Sequence, residues 1–258
     1  MKKLLIANWK MNLNLNEEIQ LFNSTERLVK GGDFKNLEIV LCPSFLSLDR
    51  ISEMAKESSL ILGAQNCFWE DKGSFTGEIS PLYLKKIGIK FVIVGHSERR
   101  EHLKELDEMV HKKVKAVLDN ELCPIICVGE TFEERQEKRK DYVIIQQVFK
   151  ALSGLMPKEQ DKIVIAYEPV WVIGSGQAVN SDEAEYTNQI IRQAAVDCLP
   201  SNFVLNNMKF IYGGSIDENN VDEFLGKKTI DGFLVGGASL KAEKFLAIAD
   251  KMVKYVDQ

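Results

Sequence analysis

Histidine is scarce in this chain, with three in 258 residues, and proline stands at only six. No Pro-rich or Ser-rich stretch, low-complexity tract or fixed-period repeat interrupts it, which argues against a linker, a solenoid or a disordered arm. No run approaches the roughly 20 apolar residues needed to cross a bilayer. Charge of one sign is not in large excess either, since 38 Asp and Glu against 33 Lys and Arg leave a formal net charge of -5. Such a surface has no general attraction to nucleic acid or anionic membrane, so an anionic ligand must be held by a local site. The five cysteines, Cys42, Cys67, Cys123, Cys127 and Cys198, are odd in number and form neither a C-x-x-C pair nor a cluster with histidine. Reduced thiols in a reducing, cytoplasmic compartment are expected, and a metal site is not. Residues 1–7 imitate the opening of a signal peptide, but Asn8, Trp9 and Lys10 break the apolar run, which reads as a buried strand. The phosphate loop and the H-E-x-x-H pattern are missing. The nearest imitation of a dinucleotide fingerprint, Gly174-Ser175-Gly176-Gln177-Ala178-Val179, lacks its third glycine and follows no strand.

What is present is an ordinary globular composition, 45% hydrophobic and 28% charged, patterned in alternation. Short apolar runs at 4–7, 39–42, 60–64, 91–94, 124–128, 163–167, 210–212 and 233–235 suit strands buried on both faces, as in a parallel sheet covered by helices. Between them, helical periodicity predicts helices over 16–29, 44–55, 106–118, 133–152, 181–196, 219–225 and 241–256. Ser181 and Ser80, the latter before Pro81, are expected helix caps, and the connection after the third strand is long. Eight strands alternating with helices over one chain of this length favour a closed α/β architecture, a (β/α)8 barrel of eight parallel strands with outer helices. An open doubly wound sheet would usually show a Gly-rich first turn. The whole chain, 1–258, reads as a single domain.

In such a barrel the polar residues just after each strand converge on one mouth. They are Asn8 and Lys10, His96 and Glu98, Glu168, Gly213-Gly214-Ser215, and Gly236-Gly237. A glutamate is ordinarily a solvated carboxylate, but Glu168 sits between an apolar strand and Pro169, beside an apolar segment containing Val170, Trp171, Val172 and Ile173. A lid of that character would exclude water and raise carboxylate basicity, as a general base requires. His96 runs into Ser97-Glu98, the start of a helix whose N–H groups favour a neutral imidazole able to donate to a carbonyl. His102 and His111 lie in charged helical stretches and read as structural. Lys10 and Asn8 alternate past the first strand toward the mouth. Each glycine pair alone reads as a tight turn, yet two pairs after the last two strands suit a phosphate site of backbone N–H groups.

The blocks Ala7-Asn8-Trp9-Lys10-Met11-Asn12, Gly63-Ala64-Gln65-Asn66, Ser74-Phe75-Thr76-Gly77-Glu78, Gly95-His96-Ser97-Glu98-Arg99-Arg100, Cys127-Val128-Gly129-Glu130, Ala166-Tyr167-Glu168-Pro169-Val170-Trp171, Tyr212-Gly213-Gly214-Ser215 and Gly236-Gly237-Ala238-Ser239-Leu240 span nearly the whole chain. In this order they resemble the triosephosphate isomerase family, itself a standard example of a glutamate base paired with a neutral histidine. The resemblance implies a TIM barrel that interconverts dihydroxyacetone phosphate and D-glyceraldehyde 3-phosphate through an enediolate, in glycolysis and gluconeogenesis, with no cofactor and no metal. It makes Glu168 the base, His96 the electrophile and proton shuttle, and Lys10 the stabiliser of negative charge. Asn8 would orient the small phosphorylated substrate, Glu98 would pair with Lys10, and Gly174, Ser215, Gly236 and Gly237 would hold the phosphate. A lid maps onto 169–179, where Val172, Ser175 and Gln177-Ala178-Val179 depart from the commoner pattern in a way that bears on opening kinetics. A homodimer through the loop 65–78, with Thr76 reaching the partner's site, is also implied; Cys67, Phe68, Trp69 and Phe75 make an exposed hairpin unattractive. Two other readings are a phosphate-binding lyase or synthase on the same barrel, and a catalytically silent binding barrel. The combination of Asn8-Trp9-Lys10, His96 and Glu168 speaks against both.

Overall fold

The strand runs are apolar on both alternating faces because both faces are covered. In β1 (Lys3–Asn8), Leu4 and Ile6 pack into one buried cluster with Val40, Cys42, Ile93, Ile125 and Leu234, while Leu5 and Ala7 join a second with Leu21, Phe22, Val117 and Phe245. The first cluster fills the inside of a cylinder, and the second lies between the cylinder and its outer helices, as the period of two along a strand requires.

The structure, a computed structural model, describes residues 2–172 and 179–256. β1 is followed by β2 (Leu37–Cys42), β3 (Ile61–Ala64), β4 (Phe91–Val94), β5 (Cys123–Val128), β6 (Ile163–Tyr167), β7 (Met208–Tyr212) and β8 (Gly232–Val235). Every neighbouring pair is parallel, and β1 pairs with both β2 (Lys3↔Leu37) and β8 (Leu4↔Gly232), which closes the barrel. Gly232 is required at that seam, because a Cβ there would lie 1.9 Å from the Leu4 carbonyl oxygen.

The outer layer comprises α1 (Leu15–Gly31), α2 (Phe45–Met54), α3 (Pro81–Lys86), α4 (Ser97–Leu103), α5 (Asp107–Asp119), α6 (Phe132–Gln136), α7 (Lys140–Leu152), α8 (Ser181–Cys198), α9 (Ser201–Asn207), α10 (Asp222–Leu225) and α11 (Ala242–Val256). Among the described residues, no helix is long and apolar enough to cross a membrane.

Several local expectations need correction. The helix predicted over 133–152 is two, because Lys138 turns left-handed (φ 58°) and α6 closes there. The cap of α8 is Asn180, whose side chain accepts the Asp182 N–H, and Ser181 is its first helical residue. Of the segment 219–225 only Asp222–Leu225 is helical. Asp217 Oδ1 takes the N–H groups of Asn219 and Asn220, an alternative to a helical turn there. α9 has no counterpart in the periodicity: it is short, contains three asparagines, and is held by buried Phe203 and Val204. Ser80 caps α3 as expected, accepting from Tyr83 N–H.

Candidate active site

The end of β1 carries a strained residue. Lys10 adopts φ 54°, the left-handed region, which costs a lysine of order 1–3 kcal/mol. Three contacts offset that cost. Its N–H donates to Asn8 Oδ1 (3.1 Å), its carbonyl accepts Gln65 Nε2 (2.8 Å), and its Nζ pairs with Glu98 Oε1 (2.5 Å). Burial opposes the charge on Glu98, but Lys10, with His96 and His102, outweighs it and holds the carboxyl below its usual range.

His96 is the N-cap of α4. Its Nδ1 accepts the Glu98 N–H at 3.3 Å, so a neutral ring carries its proton on Nε2. Nε2 lies 3.2 Å from Glu168 Oε1, and Glu168 Oε2 accepts the Ser97 N–H at 3.1 Å. Glu168 follows β6, with its own N–H on the Val128 carbonyl at 2.8 Å. Its side chain is only 3% exposed, so the carboxylate is buried on N–H donors at a helix start. Two glycines make room for it. A Cβ on Gly213 would meet Glu168 Cγ at 3.0 Å, and one on Gly129 would meet the Glu168 carbonyl oxygen at 1.8 Å.

A cavity of about 270 Å³ at this mouth is lined by Asn8, Lys10, His96 and Glu168 on one side and by 213–217 and 236–238 on the other. Of the sequence-predicted set, Asn8, Lys10, His96, Glu168, Ser215, Gly236 and Gly237 therefore meet at one cavity. Glu98 stands behind Lys10, outside its lining. Gly174, with Ser175, Gln177 and Ala178, lies outside the described residues. Asp217 also lines the cavity, with its Oδ1 taken by the Asn219 and Asn220 N–H groups. Among the described residues, no three His, Cys, Asp or Glu side chains are grouped to hold a metal ion.

Sequence reasoning gave Glu130 no role, yet it is fully buried and accepts from Tyr167 Oη (3.2 Å) and Trp171 Nε1 (3.0 Å). Burial raises its carboxyl above the usual range, while those donors oppose the shift. Arg135 stacks on Trp171 at 4.7 Å. At the other end of 169–179, the Val179 N–H donates to Tyr212 Oη (3.4 Å). Both described ends of the segment are thus tied to barrel residues. Glu130 follows a strand run just as Glu168 does, so the strand-end rule would have found it.

A closed barrel whose C-terminal mouth gathers a carboxylate, an imidazole, an ammonium and glycine turns is an enzyme of the acid–base kind. Residues 3–252 match the family model described as triosephosphate isomerase. Among curated relatives, the triosephosphate isomerase of Dictyoglomus turgidum is 43% identical over 95% of this chain and 97% of its own. That of Lactobacillus delbrueckii is 40% identical over 96% and 97%. The crystal structure of triosephosphate isomerase from Bartonella henselae superposes with a TM-score of 0.86 at 32% identity, covering 97% of this chain and 99% of that one. The chain belongs to the triosephosphate isomerase family.

Gly129→Ala tests the packing behind Glu168. The added methyl is expected to cost about 1–3 kcal/mol or more, read as a lower urea midpoint; an unchanged midpoint would mean that the backbone there is not in contact.

Proposed function

We propose that this chain, as one isomerase domain over 1–258, interconverts dihydroxyacetone phosphate and D-glyceraldehyde 3-phosphate. The observation that carries the reading is the 3.2 Å approach of Glu168 to His96 Nε2 in a cavity shared with Lys10 and two glycine turns.

Glu168 removes a proton from C1 of dihydroxyacetone phosphate. The C–H electron pair becomes the C1–C2 double bond, and the carbonyl pair moves onto the C2 oxygen. His96 gives its Nε2 proton to that oxygen and takes one from the C1 hydroxyl, while the Lys10 ammonium stabilises the negative charge as it develops. Protonated Glu168 then returns a proton to C2, which yields the aldehyde. His96 Nε2 lies 3.2 Å from Glu168 Oε1 in this structure, so the substrate must come between them, while the Ser97 N–H can stay on Oε2. Asn8 orients the substrate. The phosphate dianion lies against N–H groups around Ser215, Gly236 and Gly237, with Gly174 completing the set from the lid. Closure of 169–179 keeps water from the enediolate, with Trp171–Glu130 and Tyr212–Val179 as the contacts at its two ends.

The same reading extends to a homodimer through 65–78, with Thr76 reaching the partner's site. Its support is the exposed apolar side chains of Phe75 in the loop, and of Met11 (94% exposed) and Leu46 (92%) in the chain just after the Lys10 and Cys42 carbonyls that accept Gln65 Nε2 at the loop's start. All five cysteines are free and four are buried, which supports a reducing, cytoplasmic location.

Purified protein is expected to turn over glyceraldehyde 3-phosphate in a coupled assay, and no turnover would reject the reading. Glu168→Gln should lower kcat by about 10²–10⁴-fold while binding of an enediolate-like phosphate inhibitor changes far less. Equal losses in both would remove its role as base. In sedimentation the chain is expected at twice its 29.2 kDa mass, with Thr76→Arg shifting it to the monomer. A monomeric wild type would rule out the dimer.

A further inference from the structure

The His96–Glu168 contact joins residues that follow β4 and β6, which are not neighbours; β5 lies between them. The β4–β5 ladder ends at Val94↔Ile126. At the next residue, Gly95, the chain turns left-handed (φ 70°) and leaves the sheet, while β5 continues beside β6 through Cys127↔Ala166 and Val128↔Tyr167. Where the ladder stops, a side chain takes over. Arg100 Nε donates to the Gly95 carbonyl (2.7 Å), and Nη2 donates to the Cys127 carbonyl (3.3 Å). Nη1 pairs with Asp107 at 2.6 Å. The side chain is 19% exposed, and the left-handed Gly95 leaves room beside it, since a Cβ there would lie 2.9 Å from Val110 Cγ2 and 3.0 Å from Nη2. The other polar group of Gly95, its N–H, goes to Glu105 Oε1 at 3.0 Å.

We propose that Arg100 is a positioning residue for the reaction: its guanidinium bridges the ends of β4 and β5 and thereby sets the distance from His96 to Glu168. This rests on the isomerase reading above. The bridge needs a planar fork, because only an arginine offers donors in fixed directions to two carbonyls and a carboxylate together. Lysine preserves the charge for Asp107 but donates from a single point. Without the fork the Gly95–His96 peptide can tilt, and the imidazole no longer meets the substrate oxygen squarely.

The test compares Arg100→Lys with Asp107→Asn in enzyme confirmed as folded, after wild type has been shown to isomerise triose phosphate. Failure of wild type to turn over rejects the isomerase reading itself, whereas the comparison of variants bears on Arg100 alone. Arg100→Lys is expected to lower kcat about tenfold or more with KM within about twofold, since a misplacement of roughly 1 Å can cost about 10²-fold. Asp107→Asn, which spares both carbonyl bonds, is expected to keep kcat within about twofold. If Arg100→Lys does not fold, Arg100→Gln is read in the same way. A kcat within twofold of wild type in the Arg100 variants overturns the proposal. So does a loss confined to KM, or an equal kcat loss in Asp107→Asn, which would assign the effect to the ion pair.

Discussion

A buried carboxylate facing an imidazole is the interaction on which the rest of this structure depends. Among the described residues, Glu168 has no Lys or Arg within ion-pairing distance. A buried carboxylate without partners would be prohibitively costly. Here it is tolerable because one oxygen accepts the Ser97 backbone N–H and the other lies 3.2 Å from His96 Nε2. The Ser97 N–H is free to donate because α4 begins at the end of β4, where its first N–H groups have no helical acceptors. The same helix start supplies the Glu98 N–H that occupies His96 Nδ1 and so directs the remaining proton to Nε2. One helix terminus thus serves Glu168 and His96 together.

Closure of the barrel brings these pieces together, and the strain sits where they meet. Lys10 and Gly95, both with positive φ, follow β1 and β4 at the mouth. Each is held from several sides, Lys10 by Asn8, Gln65 and Glu98, and Gly95 by Glu105 and Arg100. Below them lies an apolar layer of the barrel interior, with Ile6, Val40, Ile93, Ile125, Ala166 and Leu234 in one buried cluster, and beyond it Lys209 of β7 pairs with Glu38 of β2 at 2.6 Å. That rigid floor leaves the strand ends few ways to move.

How much of this was legible in the sequence follows from the range of each interaction. Strands buried on both faces announce themselves as continuous apolar runs, so all eight were located to within two residues at either end. The strand-end rule then brought Asn8, Lys10, His96 and Glu168 to one place, because in a parallel barrel every strand finishes at the same face. What escaped was set by contacts that no local pattern records. The break at Lys138 is a single backbone torsion, and α9 exists because Phe203 and Val204 find the core. Arg100 and Glu105 act on Gly95 from five and ten positions away. Glu130 was visible as a strand-end carboxylate, but its burial beneath Trp171 and Tyr167 belongs to tertiary structure.

Nitrogen-15 NMR of histidine-labelled protein tests the central contact most directly. With three histidines in the chain, the spectrum of His96→Gln identifies the His96 signals by subtraction. The neutral ring is expected to show an unprotonated Nδ1 and a protonated Nε2, because Nδ1 accepts the Glu98 N–H. A neutral ring with its proton on Nδ1 would mean that Nε2 has no proton to offer, and the account of the site built on the His96–Glu168 contact would be wrong.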